Sequence, residues 1–408
     1  MEPLLFLAHR LPYPPNKGDK VRSYHFLRHL ASRYRVYLGT FIDQDEDWTH
    51  LEAVRRWCAE IHVEALVPWS RRAASSLGLL RGEPLTLPYF RSAALQHWVR
   101  RVVQRERIAL AFAFSSPMAQ YLLELGELRS VVDFVDMDSA KWGEYAARRP
   151  WPLSAVYRRE ERRLLAYEQA VAARADATIF VTDPERRRFI AQASHATERV
   201  ITIRNGVDGD YFSPSREFPS PFGADETPIV FTGAMDYWPN VDAAVWFARE
   251  VLPRIRRHDP AVRFYVVGMN PDGAVRALAG DAATVVTGRV PDVRPYLRHA
   301  RLVVAPLRVA RGIQNKVLEA MAMARPVVAT PACAAALSAR AGMELEVAGD
   351  AESFGEKILA LMHSARAETM GRAARERVLR DYAWRASFDL LDQVLGRQQR
   401  VPGKLSAL

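Results

Sequence analysis

Short apolar runs alternate with amphipathic segments of helical period along most of the chain. Continuous apolar runs bounded by turn residues are typical of strands buried on both faces of a parallel sheet. Their alternation with helices predicts βαβ units with right-handed crossovers. The predicted strands are residues 4–8, 35–42, 61–67, 109–114, 131–136, 177–182, 200–205, 228–234, 263–268, 283–288, 301–306 and 325–330.

A segment rich in proline, glycine and serine, residues 213–227, interrupts this alternation. The fold class is therefore predicted as α/β, with two Rossmann-like, doubly wound domains at 1–212 and 228–383 joined by that linker. Residues 384–408 are predicted to form a C-terminal helix and tail, with the helix crossing back to the first domain. Its apolar face consists of Trp384, Phe388, Leu391 and Leu395.

The composition is that of a soluble globular protein, with 49% apolar and 25% charged residues among 408. The two cysteines, Cys58 and Cys333, exclude a disulfide framework and favour a reducing compartment. Because no apolar run reaches 18 residues, no membrane-spanning helix is predicted. The N-terminal apolar run lacks the basic start and long core of a signal peptide, so it is interpreted as the first buried strand.

The formal net charge is +10, which favours acidic partners. Residues 69–107 carry eight arginines and two glutamates, interleaved with aromatic and leucine side chains. This mixture suits docking on an anionic membrane surface. The alternative is a helical hairpin with an apolar core and solvated arginines. No nucleic-acid partner is predicted, because no zinc-finger, RRM or KH signature is present.

The densest chemical signal lies in residues 301–330, which read as strand, polar loop, helix and strand. Gly312 and Asn315 precede the helix, whose first amides form an anion site at a strand end. Lys316 adds a positive charge there, and Glu319 offers a carboxylate to paired sugar hydroxyls. For the Lys–Glu pair alone, a solvated loop followed by an ordinary amphipathic helix is the alternative.

This string, GIQNKVLEAMA at 312–322 with RPVVAT at 325–330, resembles the donor-binding motif of retaining GT-B glycosyltransferases of family-4 type, the glycosyl transferases group 1. The segments at 203–208, 230–240, 266–268 and 287–293 resemble further parts of that family. More narrowly, PPNKGDKVR at 14–22 and DFVDMDS at 133–139 resemble its branch associated with bacterial exosortase (PEP-CTERM) and exopolysaccharide loci.

The resemblance implies two domains facing a central cleft, with a nucleotide diphosphate sugar bound mainly to the second domain and the acceptor to the first. It implies retention and no bound metal or other cofactor. Glu319 and Lys316 are implied as catalytic, Glu319 on the ribose hydroxyls and Lys316 on the diphosphate. The implied donor-binding residues are Gly18, Arg204, Gly233, Gly268, Arg308, Arg311, Gly312, Gln314, Asn315, Lys316 and Glu319. The implied acceptor-side residues are Asn16, Lys17, Asp19, Arg22 and Ser115.

Two departures from the family pattern concern the donor. Arg311 stands where the family often has an earlier glutamate, and an arginine there favours the diphosphate or an acidic sugar such as a uronic acid. The loop 234–240 lacks the basic residues that many relatives place near the diphosphate. Arg204, Arg308 or Arg311 are the candidates to replace them.

Asp136 and Asp138 follow a predicted strand, so they are also included among the catalytic candidates, as groups that orient the acceptor hydroxyl. Capping of the next helix by Asp138 or Ser139 is the alternative. Ser115 and the two residues after it occupy the place where many relatives have a histidine. His9 follows the first strand and either reaches the cleft or serves the surface or core.

The function expected from this resemblance is transfer of a sugar to a lipid-linked or other saccharide acceptor in exopolysaccharide or surface-glycan synthesis. The expected location is the cytoplasm, peripheral on the inner face of the membrane. A non-hydrolysing nucleotide-sugar epimerase and a non-catalytic protein with the same fold are the alternatives.

Overall fold

The computed structural model describes residues 1–15, 18–67, 75, 82–126, 128–147, 149–193, 197–310 and 312–396. These residues divide into two compact units. The first unit combines Met1–Ile203 with the chain from Ser387 onward, and the second is Arg204–Ala386. Each unit contains one parallel sheet.

The sheet of the first unit has seven strands in the order β3-β2-β1-β4-β5-β6-β7. All neighbouring pairs are parallel, so every connection crosses over the sheet. The strands are β1 Pro3–Ala8, β2 Arg35–Ile42, β3 Glu60–Ala65, β4 Leu110–Phe114, β5 Arg129–Val135, β6 Ala177–Phe180 and β7 Val200–Thr202.

Helices cover this sheet and bury apolar side chains against it. Two of them, α5 and α6, pack against each other as a hairpin between β5 and β6. The helices before β7 are α1 Gly18–Ala31, α2 Leu51–Arg55, α3 Thr86–Tyr89, α4 Ala93–Glu106, α5 Asp138–Ala147, α6 Leu153–Arg174 and α7 Asp183–Ile190.

The sheet of the second unit has six parallel strands in the order β10-β9-β8-β11-β12-β13. The strands are β8 Thr227–Thr232, β9 Val262–Val267, β10 Thr284–Gly288, β11 Leu302–Ala305, β12 Val327–Ala329 and β13 Glu346–Val347. The helices are α8 Trp238–Trp246, which continues as a π-helical turn at Phe247–Val251, α9 Leu252–Arg256, α10 Gly273–Arg276, α11 Arg294–His299, α12 Asn315–Ala322, α13 Pro331–Ala334, α14 Ala351–Met362, α15 Arg366–Asp381 and α16 Trp384–Gly396.

The predicted fold class is confirmed, because each unit is a parallel α/β sheet covered by helices, as expected of a Rossmann-like domain. Each of the twelve predicted strands overlaps an observed strand, including the N-terminal run, which is the fully buried part of β1. The short strand β13 has no counterpart among the predictions.

The boundary between the units falls at Ile203 rather than within residues 213–227. The chain after Arg204 is already held by the second unit, because the Val207 amide donates to the Tyr382 carbonyl at 2.8 Å. Phe212, Phe218 and Phe222 also pack against the second core. The helix α16 begins in the second unit and joins the first from Ser387 onward.

Residues 69–107 are described only in part, since 68–74 and 76–81 lie outside the described ranges. In the described part, Trp98 is 3% exposed, and Tyr89 and Phe90 pack against the core of the first unit. These three aromatic residues therefore belong to the interior, which favours the hairpin interpretation for this part of the segment. Within the described ranges, no helix is long and apolar enough to cross a bilayer.

Candidate active site

The carboxyl edge of the second sheet brings two glycines together. The turn after β8 contains Gly233, and the turn after β9 contains Gly268. A Cβ on Gly268 would lie 1.6 Å from the Gly233 carbonyl oxygen. Only glycine permits this approach of the two backbone turns. A Cβ on Gly233 would lie 3.0 Å from Lys316 Nζ, so the same turn leaves room for a cation.

Lys316, in the first turn of α12, extends toward these glycines. Its ammonium donates to Asn240 Oδ1 at 2.5 Å and lies 4.6 Å from the centre of the Phe231 ring. The Asn240 amide is itself fixed, since its Nδ2 donates to the Ala234 carbonyl at 2.8 Å. Burial lowers the pKa of Lys316 to about 8, although Cys333 and Glu319 oppose the shift.

Glu319 lies one turn further along α12, on the same face as Lys316. Burial raises the pKa of its carboxyl group to about 7, and the nearby Lys316 charge opposes the shift. No side chain or amide among the described residues donates a hydrogen bond to the Glu319 carboxylate or forms an ion pair with it. As a carboxylate, Glu319 can accept hydrogen bonds from the hydroxyl groups of a ligand.

The turn that precedes α12 is shaped by Gly312, whose φ of 61° is a conformation that favours glycine. Gln314 occupies the N-cap position without a side-chain cap hydrogen bond. Asn315 Oδ1 accepts from Asn205 Nδ2 at 3.2 Å, which ties the start of the helix to the segment after β7. The first amides of α12 thus face the same edge of the sheet as Lys316.

The arginines expected near a diphosphate have different bonding partners. Arg308 forms an ion pair with Asp242 on α8, with Nε to Oδ2 at 3.0 Å. Arg204 donates to Ser338 Oγ at 3.1 Å. Arg311 lies outside the described residues. The structure therefore assigns Arg308 to a salt bridge within the second unit and Arg204 to a hydrogen bond with Ser338.

At the carboxyl edge of the first sheet, charged side chains cluster where β1 ends. Asp19 forms ion pairs with Arg10 at 2.7 Å and with His9 at 3.3 Å, and Arg10 also reaches Asp43 at 2.9 Å. Burial alone would raise the pKa of Asp19, but His9 and Arg10 hold it well below its usual range. Gly18 begins α1 beside this cluster, whereas Asn16 and Lys17 lie outside the described residues.

Arg22 differs from the expectation of an acceptor contact. Its side chain is 0% exposed and its Nε donates to Asp133 Oδ2 at 2.7 Å, with Asp133 also 0% exposed. Burial raises the pKa of Asp133, while the Arg22 charge opposes this shift. A buried pair of this kind organises the interior of the unit, because neither group reaches a ligand in solution.

Asp136 and Asp138 share one cation at the end of β5. Lys141 Nζ lies 3.3 Å from Asp136 and 2.9 Å from Asp138. Asp136 Oδ1 is buried and has no hydrogen-bond partner among the described residues. The two aspartates and Lys141 form one charged cluster at the carboxyl edge of the sheet.

The start of α5 is capped by residues that the sequence pattern did not indicate. The Met137 amide donates to Glu185 at 2.9 Å, and the Ser139 amide and hydroxyl donate to Glu168 at 3.2 and 2.6 Å. The distant carboxylates of Glu168 and Glu185 therefore take the place that the capping alternative gave to Asp138 and Ser139.

Ser115 occupies a strained turn after β4. Its φ is 78°, and its amide donates to the Asp133 carbonyl at 2.8 Å. The residue is 9% exposed. Ser115 therefore lies at the carboxyl edge of the first sheet but is largely enclosed there.

Residues 226–364 match the family model described as Glycosyl transferases group 1. They form a glycosyl transferases group 1 domain. The sites of Lys316, Glu319, Gly233 and Gly268 all lie within this group 1 domain. The chain has no significant match among curated protein sequences.

Solved structures show the same fold over nearly the whole chain at low sequence identity. HepE of Anabaena in complex with UDP and glucose is 16% identical, with a TM-score of 0.68, covering 96% of this chain and 98% of that chain. Sucrose-phosphate synthase of Thermosynechococcus elongatus is 18% identical, with a TM-score of 0.70 and coverage of 97% and 98%. S. aureus TarM, in complex with fondaparinux, α-GlcNAc-glycerol and UDP, is 11% identical, with a TM-score of 0.65 and coverage of 97% and 100%.

Within the second unit, the sequence pattern missed two polar contacts. Asn240 holds the Lys316 ammonium, and only its position in the loop 234–240 pointed to this edge. Arg294 lies 3.8 Å above the Tyr211 ring and bonds to Asp292, which places a charged aromatic contact near Glu319. These contacts join segments that are far apart in the chain.

Proposed function

We propose that this protein transfers a sugar, with retention, from a nucleotide diphosphate sugar to a saccharide acceptor. The observation that carries the proposal is the arrangement on α12. Lys316 and Glu319 share one helix face beside Gly233 and Gly268, at the carboxyl edge of a glycosyl transferases group 1 domain. A cation and a carboxylate that has no bonded donor among the described residues suit the two ends of a nucleoside diphosphate.

The proposed donor carries UDP. HepE and TarM, which have the same fold, are described in complex with UDP. In the present chain, the proposed role of Glu319 is to accept hydrogen bonds from the two ribose hydroxyls. The Lys316 ammonium, the backbone turn at Gly233 and the first amides of α12 then face the diphosphate. Gly268, Gln314 and Asn315 line the same edge.

The mechanism follows from where charge develops. The sugar acquires oxocarbenium character as the glycosidic bond to the diphosphate breaks, and negative charge accumulates on the leaving group. Fixed donors stabilise that charge most when they are already oriented, and Asn240 holds Lys316 in one position. The proposal therefore assigns leaving-group stabilisation to Lys316 and the backbone amides, without a metal ion.

The proposed acceptor is a lipid-linked saccharide at the cytoplasmic face of a membrane, within exopolysaccharide or surface-glycan synthesis. The first unit offers the Asp136, Asp138 and Lys141 cluster at the carboxyl edge of its sheet. In the proposal, these carboxylates orient the acceptor hydroxyl, and Asp19 lies at the same edge of the sheet, after β1. The resemblance to the exosortase-associated branch supports this acceptor class.

Replacing Glu319 tests the assignment. Glu319→Ala is expected to lower transfer from UDP-glucose by on the order of a hundredfold, because the ribose hydroxyls lose their acceptor. Glu356→Ala, an exposed glutamate on α14, is the matched control and is expected to retain wild-type transfer. Transfer is measured with a soluble saccharide acceptor, and product NMR reports the anomeric configuration.

Wild-type transfer by a folded Glu319→Ala protein would refute the role of this residue. An inverted product would refute retention. Conversion of the nucleotide sugar to its epimer, without an acceptor, would instead support the epimerase alternative. Melting temperatures of both variants show whether the fold is intact.

A further inference from the structure

Residues 150–153, the end of the connection between α5 and α6 and the first residue of α6, present apolar side chains to solvent. Trp151 is 81% exposed and Leu153 is 48% exposed. Pro150 and Pro152, which flank the tryptophan, are exposed as well. Among the described residues, Trp151 is the most exposed tryptophan, and it lies within a run of exposed apolar residues rather than singly. We call residues 150–153 the hairpin tip.

Tightly packed helices support the hairpin tip. Trp142 lies 5.2 Å from Tyr157 and 5.9 Å from Tyr145, so three aromatic rings join α5 to α6 below the tip. A Cβ on Gly143 would lie 2.2 Å from the Glu161 carboxylate, which shows how closely the helices approach. Trp151 is therefore displayed on a supported hairpin.

The charges of this hairpin are segregated. The arginines Arg149, Arg158 and Arg162 are exposed, and their side chains make no ion pair or hydrogen bond with the described residues. Two acidic residues of the hairpin are already engaged: Glu160 is buried and accepts from the Leu85 and Thr86 amides, and Glu144 pairs with Arg188. A third, Glu161, is partly exposed and lies against Gly143 on the neighbouring helix. The outer surface next to the hairpin tip is thus positive and apolar.

The hairpin tip projects on the acceptor side of the first sheet. Glu168 on α6 bonds to Ser139 where α5 leaves the carboxyl edge, and α6 ends just before the amino end of β6. The part of α6 before Glu168 therefore lies beyond the carboxyl edge. Fifteen residues separate Leu153 from Glu168, which places the tip about 22 Å beyond the level of that bond.

We propose that the hairpin tip inserts into the headgroup region of an anionic bilayer, with Arg149, Arg158 and Arg162 on the lipid phosphates. Tryptophan prefers this interface, and basic side chains near it add electrostatic attraction. The role of this docking rests on the proposed function. A membrane bound at the tip brings a lipid-linked acceptor toward the edge of the sheet that carries Asp136. It also replaces residues 69–107 as the docking surface.

Vesicle co-sedimentation of the full chain tests the docking. The probes are phosphatidylcholine vesicles with and without phosphatidylglycerol. The wild type is expected to bind the anionic vesicles and to release them as salt increases. Trp151→Ser/Leu153→Ser and Arg158→Glu/Arg162→Glu are each expected to weaken binding by about tenfold or more. Trp48→Ser, at a tryptophan that is 44% exposed, and Arg254→Glu/Arg257→Glu are the matched controls.

Wild-type binding by both tip variants would overturn the proposal, and so would equal binding of neutral and anionic vesicles by the wild type. The rise in melting temperature caused by UDP, measured without vesicles, is expected to be the same in the wild type and in every variant. The two results are separate. If UDP does not raise the melting temperature of the wild type, the donor site alone is refuted. If the wild type does not bind anionic vesicles, the docking alone is refuted.

Discussion

Lys316 and Glu319 are opposite charges on one helix face that do not form an ion pair with each other. Burial shifts the pKa of Lys316 down to about 8 and that of Glu319 up to about 7. Both shifts oppose the charged form, so this edge of the sheet favours a ligand that supplies new partners for both charges.

The Lys316 titration predicts that binding of UDP takes up a proton at pH 8.5. Much of Lys316 is neutral in the free protein at that pH, since its pKa is about 8, and the diphosphate favours the ammonium form. Calorimetric titrations in buffers of different ionisation enthalpy measure the uptake. Lys316→Arg is expected to bind UDP with little uptake, because arginine stays protonated. Equal uptake in the wild type and Lys316→Arg would exclude Lys316 as its source.

The sequence predicts which charged residues lie near strand ends, but not the residues with which they form ion pairs. Lys316 and Glu319 follow from helical spacing after a strand. The pairing of Arg308 with Asp242, and of Arg22 with Asp133, depends on contacts between segments 66 and 111 residues apart. Spacing within one segment carries no information about such contacts, so both arginines were expected at ligands.

The α5–α6 hairpin contains a buried carboxyl group, that of Glu168. Glu168 is buried, and burial together with the nearby Asp138 charge raises its pKa from 4.5 to about 8, although Ser139 and Lys141 oppose the shift. The protonated form therefore stabilises the fold at low pH. This stabilisation is complete below about 4.5 and is lost as the pH rises to about 8.

Glu168→Gln is expected to remove this pH dependence. The neutral amide can keep both contacts, since its oxygen accepts from the Ser139 N–H and its nitrogen can donate to the Ser139 hydroxyl once that hydroxyl turns. The variant should melt close to the wild type at pH 5 and above it by about 3 °C or more at pH 9. Glu161→Gln, at a partly exposed position of the same helix, is the control. Melting curves of wild type and Glu168→Gln that stay parallel from pH 5 to 9 would contradict the assignment.

The strands were the most predictable elements, because strands buried on both faces are continuous apolar runs. The strand β13 was missed because Glu346–Val347 is only two residues long and contains a glutamate. That glutamate is 2% exposed and forms ion pairs with Arg366 and Lys357. Its burial depends on tertiary partners, which the alternation of apolar and polar positions does not reveal.

At the scale of the whole chain, the two units have separate sheets and separate cores. Composition located the division only approximately. The proline-rich stretch 213–227 looked like a linker, but Phe212, Phe218 and Phe222 anchor its surroundings to the second core. Proline and glycine frequency reports local flexibility, whereas a domain boundary is set by which core the flanking side chains join.

The structure also shows where part of the net charge of +10 is exposed. Several arginines, such as Arg22 and Arg308, form ion pairs inside their own unit. The arginines beside the hairpin tip have no such partner among the described residues. The positive excess is therefore expected to act at that surface.

The proposed contact between Glu319 and the ribose of a nucleotide donor can be tested by comparing two affinities. UDP and its 2′,3′-dideoxy analogue are titrated against the wild type and Glu319→Ala. The wild type should bind UDP at least about tenfold more tightly than the analogue, and Glu319→Ala should bind the two almost equally. An unchanged preference for UDP in Glu319→Ala, or no binding of UDP by the wild type, would contradict the account.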